Sequence, residues 1–450
     1  MRRRRIQLKR RKERKWRRGS VPLACIAAAL MFGVIAWAAA SMPLVVLSET
    51  VATGAGPRWI ALEDLNGDGK PDLVTANQGR TISVLANTGD RFSRRRDYRT
   101  GLLPRSGAVG DLDGDGVLDV AVVGEPARVS VFLNIGDGRF RVPAGYGAGA
   151  DPRSVAIGDL DGDGKADLAI ASGSSTVSVL MNRGDGSFET KRDYAAGFAT
   201  VATAITDVNG DGRPDVVTAN WGSFSVFLNN GGGTLRRRVD HRTKDGSVSF
   251  AVADLNGDSR PDLAIASPTV VSVFLNRGDG SAWSTRTYRV PRPAQAVAIG
   301  DLNGDGRPEL AVATAGIPGT ISVLSNTGDG RFRDRREYGR GNYPVAVAIG
   351  DLNDDGELDV AAANIGSNTV SLFRNRTGER IEICTVPNVR GLQLAAAQRN
   401  LVLAHCRAGR ISHEPYKAPE GRVMWEGPPA GTRMRSGGRV DLVLSRKLRR

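Results

Sequence analysis

Carboxylate and amide side chains recur in this 450-residue chain at a spacing that suits a hard metal ion. In residues 159–167, Asp-Leu-Asp-Gly-Asp-Gly-Lys-Ala-Asp, carboxylates stand at positions one, three, five and nine, and position seven can add its carbonyl. Glycine at position six permits the sharp turn that folds such a loop around an ion. Because Ca²⁺ accepts about six to eight oxygens in a flexible cage whereas Mg²⁺ keeps several waters, the pattern predicts calcium.

The pattern occurs seven times, and we call the copies acidic loops 1 to 7. An EF-hand would need a bidentate Glu at position twelve, where these loops have Thr, Val, Ile or Ala. Ordinary turns would not require an acid at position nine in every copy. Up to seven structural Ca²⁺ ions are therefore predicted. The predicted ligands are Asp64, Asn66, Asp68 and Asp72; Asp111, Asp113, Asp115 and Asp119; Asp159, Asp161, Asp163 and Asp167; Asp207, Asn209, Asp211 and Asp215; Asp254, Asn256, Asp258 and Asp262; Asp301, Asn303, Asp305 and Glu309; and Asp351, Asn353, Asp355 and Asp359.

Three loops depart from the pattern. Ser259 replaces the sixth-position glycine of loop 5, Glu309 replaces the ninth-position aspartate of loop 6, and Asp354 adds a carboxylate to loop 7. We expect weaker or altered ion binding at loops 5 and 6.

The elements that position these loops repeat with them. The loops start 47 to 50 residues apart, a period that suits a four-stranded propeller blade. Each unit has an apolar stretch, the acidic loop, a buried run, a second apolar run, a turn rich in Asn and Gly, and a polar strand. Alternation and β-branched residues indicate strands, and no helical periodicity is visible from Val45 to Gly378. Seven units predict seven blades.

The segment Val297 to Ala313, Val-Ala-Ile-Gly-Asp-Leu-Asn-Gly-Asp-Gly-Arg-Pro-Glu-Leu-Ala-Val-Ala, resembles the repeats of the FG-GAP/VCBS family. That resemblance implies an all-β, seven-bladed propeller over residues 45–380, like those of integrin α-subunits and many bacterial surface proteins. It also implies structural calcium loops on one face and partner-binding loops on the other.

The seventh unit lacks its polar fourth strand, and residues near the start of the chain supply a candidate. A shift of 47 residues aligns Val45 with Phe92 and Val51 with Tyr98. We therefore expect residues 45–53 to pair into the seventh blade and close the ring, which removes an exposed strand edge.

Residues 384–446 differ from the repeats. They contain Val-Pro-Asn-Val at 386–389, a helix-like segment Gln393 to Leu403 and a strand ending in Val440 to Ser445. This part resembles a PASTA domain, a small α+β module that implies a position outside a bacterial cell and, in some copies, peptidoglycan binding; a structural appendage is the alternative. Cys384 and Cys406 bracket the helix, and an exported location favours a disulfide between them.

The two ends carry the positive charge. Of the net charge of +14, the head at residues 1–20 contributes +11 and the tail at 446–450 contributes +4, which leaves −1 for the rest and argues against nucleic-acid binding. Val21 to Ala40 has no charged residue and is long enough to span a bilayer, so residues 21–41 are either a retained anchor or a cleaved signal peptide. Either way the basic head stays cytoplasmic and the rest faces the outside.

Two classes of function remain, a non-enzymatic adhesion or scaffold protein of the cell envelope and a polysaccharide lyase or hydrolase. The histidines are His241, His405 and His413, and no catalytic triad or zinc motif is visible, so we expect no enzyme. We expect a monomer that binds an extracellular protein or glycan through connections opposite the acidic loops. The predicted contact residues, all placed in such connections, are Trp221, Arg80, Arg105, Arg153 and Tyr343. Packing between blades is the alternative for Trp221.

Overall fold

The structure is a computed structural model of the chain, and it describes residues 45–89, 91–376, 383–404, 406–415, 419–435 and 438–446. The side chains of residues 340, 383, 384, 433–435 and 438 are outside that description. The basic head, the apolar run Val21 to Ala40, His405 and residues 447–450 also lie outside the described residues. Within the described part of the chain, no helix has the length and apolar character needed to cross a membrane.

Residues 45–376 form strands, as the repeat pattern predicts. They are β1 (Val45–Ala52), β2 (Pro57–Glu63), β3 (Asp72–Asn77), β4 (Thr81–Leu85), β5 (Arg96–Arg99), β6 (Leu103–Gly110), β7 (Asp119–Glu125), β8 (Arg128–Phe132), β9 (Ala144–Gly147), β10 (Pro152–Gly158), β11 (Asp167–Ser172), β12 (Thr176–Leu180), β13 (Arg192–Ala195), β14 (Ala202–Thr206), β15 (Asp215–Phe227), β16 (Val239–Gly246), β17 (Ser249–Ala253), β18 (Asp262–Ala266), β19 (Val270–Asn276), β20 (Trp283–Arg289), β21 (Ala294–Gly300), β22 (Glu309–Thr314), β23 (Gly319–Asn326), β24 (Phe332–Gly341), β25 (Pro344–Gly350), β26 (Asp359–Asn364) and β27 (Thr369–Asn375).

These strands make seven antiparallel sheets in the described residues. Sheets 1 to 3 are β2–β5, β6–β9 and β10–β13, sheet 4 is β14–β16, and sheets 5 and 6 are β17–β20 and β21–β24. Sheet 7 has the order β1-β27-β26-β25. Sheet 4 has three elements because β15 runs through two strand positions without a break, with Gly222 at φ +81° between them.

Burial explains why each unit folds in this order. Every residue of β3, β11, β22 and β26 is buried, as expected for a second strand that is covered on both faces. The fourth strands, such as β5 and β13, are mostly exposed and polar, which suits a sheet edge. Apolar clusters lie between neighbouring sheets, so each sheet buries its faces against the next.

The seven sheets follow one another in a closed order. The first strands contact each other as β2, β6, β10, β14, β17, β21, β25 and again β2. β1 pairs antiparallel with β27, from Val45 opposite Asn375 to Ala52 opposite Thr369. This is the pairing that the 47-residue shift predicts, and it places both ends of the repeat region in sheet 7.

The C-terminal segment has a core of its own. Its elements are β28 (Ile383–Thr385), α1 (Leu394–Leu403), β29 (Cys406–Pro415), β30 (Val423–Gly427), β31 (Arg433–Arg435) and β32 (Gly438–Arg446). β32 lies between β29, to which it is parallel, and β30, to which it is antiparallel. Ala397 and Leu401 of α1 are buried in one cluster with Val440 and Leu442 of β32.

Candidate metal centres and the opposite face

Each acidic loop joins the first strand of a sheet to the second. Loop 1 follows β2, which ends at Glu63, and its ninth residue Asp72 is the first residue of β3. Because the first strands stand side by side in the closed order, corresponding strand ends share a face. The seven loops therefore emerge on one face, and the second-to-third-strand turns and the sheet-to-sheet connections emerge on the other.

The first-position carboxylate holds each loop in shape through backbone amides. In loop 3, Asp159 Oδ1 accepts from Gly162 N at 2.7 Å and Oδ2 accepts from Gly164 N at 2.9 Å. Gly164 has φ +84°, a backbone conformation that a side chain would oppose. The loop is thus folded as the sequence predicts, with its polar side chains gathered.

The structure brings acidic ligand atoms together in loops 2 and 3. Oxygens of Asp111, Asp113 and Asp115 lie within 4.8 Å of one another, as do oxygens of Asp159, Asp161 and Asp167. In the other five loops the third residue is Asn, whose amide oxygen is a neutral ligand. A carboxylate-rich group of this size is suited to a hard divalent cation.

Several predicted ligand oxygens are buried without a hydrogen-bond donor among the described residues. They are Asp113 Oδ1 in loop 2, Asp305 Oδ2 in loop 6 and Asn353 Oδ1 in loop 7. A buried polar oxygen without a partner is costly, and a bound cation would remove that cost. The donor sets therefore fit Ca²⁺, which would be held by positions one, three and five together with oxygens of positions seven and nine.

The ninth residue has a second task that the sequence does not reveal. Asp119 is fully buried; its Oδ2 accepts from Leu112 N at 2.8 Å and its Oδ1 accepts from Asn134 N at 2.7 Å. Desolvation raises the pKa of Asp119 to about 6, against the opposing effect of these two hydrogen bonds. The same cause raises the pKa of Glu309 to about 7. The ninth residue thus ties the loop to its sheet, and its remaining lone pairs can face an ion.

The departures keep the loop geometry. Ser259 takes φ +64° in place of glycine and donates its amide to Asp254 Oδ2 at 2.6 Å. Glu309 accepts from Leu302 N at 2.9 Å and from Asn326 N at 3.2 Å, as an aspartate does elsewhere. Asp354 is the fourth residue of loop 7 and has φ +61°. Weaker binding at loops 5 and 6 stays a prediction.

Two of the predicted contact residues do not lie in connections between strands. Arg105 and Arg153 are in the first strands β6 and β10, where they line a cavity along the ring, so their placement in connections was wrong. The reason is that Pro104 and Pro152, which suggest a connection, begin or continue an inner strand instead.

The other three lie in turns on the face opposite the acidic loops. Arg80 follows β3 at φ +62°, and Tyr343 lies between β24 and β25 at φ +59° and is 40% exposed. Trp221 lies at the bend within β15 and is 57% exposed, although its ring packs against Gly246, where a Cβ would meet it at 2.6 Å. This face therefore carries accessible aromatic and arginine side chains.

Comparison with known proteins identifies the repeats. The FG-GAP-like repeat family matches six times, at residues 64–122, 111–170, 159–206, 207–265, 254–312 and 301–362, so the matches run through most of the chain. The chain belongs to the FG-GAP-like repeat family. A search of curated protein sequences gave no significant match.

Solved structures resemble this FG-GAP-like repeat protein in fold. Two crystal structures of BBS1N in complex with ARL6DN, soaked with lead and with mercury, match with TM-scores of 0.52 and 0.54 at 14% identity, over 73% and 74% of this chain and 96% of theirs. An Agrocybe aegerita lectin that recognises non-reducing terminal N-acetylglucosamine matches with a TM-score of 0.49 at 21% identity, over 70% of this chain and 87% of its own. At such identities the two BBS1N structures support a β-propeller-like architecture alone.

Sequence reasoning missed a set of asparagines that join the acidic loops of this FG-GAP-like repeat protein. Each lies at or just after the third strand of its sheet. Its Nδ2 donates to the carbonyl oxygen of the second residue in the acidic loop of the preceding sheet, at 2.6 to 3.0 Å. The signal was present in six of the seven units as an Asn-x-Gly sequence, which was interpreted as a turn only. The residues are Asn87, Asn134, Asn182, Asn229, Asn276, Asn326 and Asn375.

The predicted disulfide concerns the C-terminal segment. Cys406 is 2% exposed and belongs to the apolar cluster that includes α1. The side chain of Cys384 is outside the described residues, so the pairing of Cys384 with Cys406 stays a prediction.

Proposed function

We propose that this protein is a non-enzymatic binding scaffold of the cell envelope, a seven-bladed propeller that calcium stabilises on one face and that binds a protein or glycan partner on the other. The observation that carries the proposal is the separation of chemistry between the two faces. Acidic clusters lie at the first-to-second-strand loops, and Arg80, Trp221 and Tyr343 lie at the opposite turns.

Calcium is the cation that the donor sets favour. The clusters of loops 2 and 3 gather three carboxylates each, and buried oxygens in loops 2, 6 and 7 have no donor among the described residues. Without an ion these carboxylates repel one another, so binding of Ca²⁺ would contribute directly to folding stability. Up to seven such ions would be structural, since the loops connect strands within the ring.

The partner face has the composition of a binding surface. Exposed Trp and Tyr offer large rigid contact areas, and Arg offers directional donors to carboxylates and hydroxyls. A protein partner is consistent with the complex between BBS1N, a chain of similar fold, and ARL6DN. A monomer suffices, because the ring closes within one chain.

The ends of the chain support a place outside the cytoplasmic membrane. The basic head and the apolar run Val21 to Ala40 form an export signal that is either retained as an anchor or cleaved. The C-terminal segment combines the Val-Pro-Asn-Val sequence with α1 packed on a small sheet, which suits a PASTA-like module and contact with peptidoglycan.

Capture from envelope fractions tests the proposal. The full chain in calcium is incubated with solubilised envelope protein and with cell-wall glycan, and bound material is identified chemically. We expect the wild type to capture a partner and the variants Tyr343→Ala and Trp221→Ala to capture less of it. Arg333→Ala, on the exposed outer strand β24, should capture as much as the wild type. Equal capture by all three variants, or none by the wild type, would contradict the proposal.

A further inference from the structure

A cavity, which we call the axial cavity, runs along the ring and is lined by the first strands of all seven sheets. Its volume is about 320 Å³, and its lining includes one segment from each sheet. Among the described residues that line it, the charged ones are all arginines: Arg58, Arg105 and Arg153. The described lining of this cavity thus contains three arginines and no carboxylate.

The three arginines occupy one position in three neighbouring sheets. Each follows a proline near the start of its first strand, and these strands, β2, β6 and β10, contact each other in turn. The other sheets place uncharged residues at this position, namely Val201, Val248, Gln295 and Val345. The charge is thus confined to one arc of the cavity wall.

This arc lies at the end of the cavity that is remote from the acidic loops. Arg58 is the second residue of β2, and loop 1 begins six residues later at Asp64. At about 3.3 Å per residue, the strand separates them by roughly 20 Å. The predicted calcium ions therefore do not occupy the same site as a ligand of the arginines.

Arg58 differs from the other two arginines, because it has no ion-pair partner among the described residues. With the side-chain amide of Gln78 turned so that its oxygen faces the guanidinium, Arg58 Nε and one terminal nitrogen donate to that oxygen, at 2.7 and 2.8 Å. No described carboxylate lies within 4.0 Å of Arg58. Burial, and then the positive charge of Arg105, lower the pKa of Arg58. An incoming anion would offset both effects, because it stabilises the charged form of the guanidinium.

Arg105 and Arg153 are each held in place by neighbouring carboxylates. Arg105 pairs with Glu125 and lies 3.9 Å from Asp151, and Arg153 donates two hydrogen bonds to Asp151, at 2.7 and 2.9 Å. Asp151 adopts φ +54°, an uncommon conformation for a residue with a side chain, and so reaches both arginines. These contacts order the guanidinium groups in advance, which lowers the entropic cost of binding.

A second cavity adjoins Arg58 and Arg105. It measures about 310 Å³ and is lined by Arg58, Gln78, Leu103, Pro104, Arg105 and Glu125. Leu103 is 37% exposed there and offers an apolar contact beside the charged groups. A ligand with an anionic group and a larger body could place the anion at the arginines and its body in this cavity.

We infer that Arg58, Arg105 and Arg153 form a binding site for a carboxylate, sulfate or phosphate group of the partner, at the end of the axial cavity opposite the acidic loops. This inference rests on the proposed function, since it names the chemistry that the partner face recognises. Arginine forks suit such oxyanions because they donate parallel hydrogen bonds.

Titration calorimetry on the calcium-loaded full chain tests the site with glucuronate, inorganic sulfate and inorganic phosphate, each at constant ionic strength. We expect saturable binding of one anion per chain, weakened at least about tenfold by Arg58→Gln and by Arg153→Gln. Arg58→Lys, which keeps the charge, should retain part of the affinity. Arg333→Gln, which removes a positive charge from β24, should bind as the wild type does.

A purely structural role for the arginines predicts a different result. The variants would then melt at lower temperature without any anion, while the anions would bind all of them and the wild type equally. Equal binding, or no saturable binding to the wild type, would overturn the inference.

Envelope capture in parallel separates this inference from the proposed function. Capture by the wild type without anion binding would overturn the inference and leave the proposed function standing. Anion binding that depends on Arg58, without any captured partner, would support the inference and contradict the proposed function.

Discussion

Asn87 Nδ2 donates a hydrogen bond to the carbonyl oxygen of Leu352 at 3.0 Å, although 265 residues separate the two. Leu352 is in acidic loop 7 and Asn87 is in sheet 1, so this contact joins the last loop to the first sheet. The equivalent hydrogen bond joins each of the remaining acidic loops to the sheet that follows it. The acidic loops are therefore connected in a ring by hydrogen bonds.

These asparagines should be important for stability, and sheet 4 offers a matched pair. Asn229 is buried and its side chain makes hydrogen bonds to Leu160 O, Pro214 O and Gly231 N, whereas Asn230 is exposed. Asn229→Ala should lower the free energy of unfolding by about 2–4 kcal/mol, because it leaves buried backbone groups unpaired. Asn230→Ala should change it by less than about 0.5 kcal/mol. Urea unfolding measures both, and equal effects would show that the asparagine contacts do not stabilise the ring.

The closing strand should be needed for the stability of the ring. Val45 and Val51 of β1 are 2% and 8% exposed, and β1 covers the edge of β27. Removing residues 1–53 should lower the Tm by at least about 5 °C, because two buried valines and one strand pairing are lost. Removing residues 1–41, which spares β1, is the control and should leave the melt of the repeat region unchanged. A Tm that is the same for both truncations would argue against closure by β1.

His241 should make the junction between sheets 4 and 5 sensitive to acid. It occupies the outer-strand position that is Tyr in β9, β13 and β20, and it stacks on Phe224 with ring centroids 4.7 Å apart. Burial lowers the pKa of His241, against the opposing charges of Asp240 and Asp279. The unfolded chain therefore binds the proton more readily, and stability is lost as the pH falls below about 6.5.

His241→Tyr removes this titration and restores the residue of the other sheets. At saturating calcium we expect the variant to exceed the wild type in Tm by about 2 °C or more at pH 5 and to differ less at pH 8. His413→Gln, in the C-terminal segment, is the control. A Tm difference between His241→Tyr and the wild type that does not change with pH would refute the assignment.

Much of the architecture could be predicted because it repeats. Period, loop chemistry and the incomplete seventh unit together predict the pairing of β1 with β27, since a shift of one period aligns the two ends. Arg105 and Arg153 were misplaced because a proline before a polar residue resembles a turn, and only the fold shows that the proline lies within an inner strand. The asparagine contacts join residues about seventy positions apart, which the spacing within one repeat cannot reveal.

The thermal melt of the full chain in calcium and in EDTA shows whether the acidic loops hold structural ions. If the acidic loops hold structural Ca²⁺, the Tm should rise with calcium over about 0.1–1 mM, should rise less with magnesium and should fall in EDTA. The same Tm in calcium and in EDTA would mean that the loops hold no structural Ca²⁺.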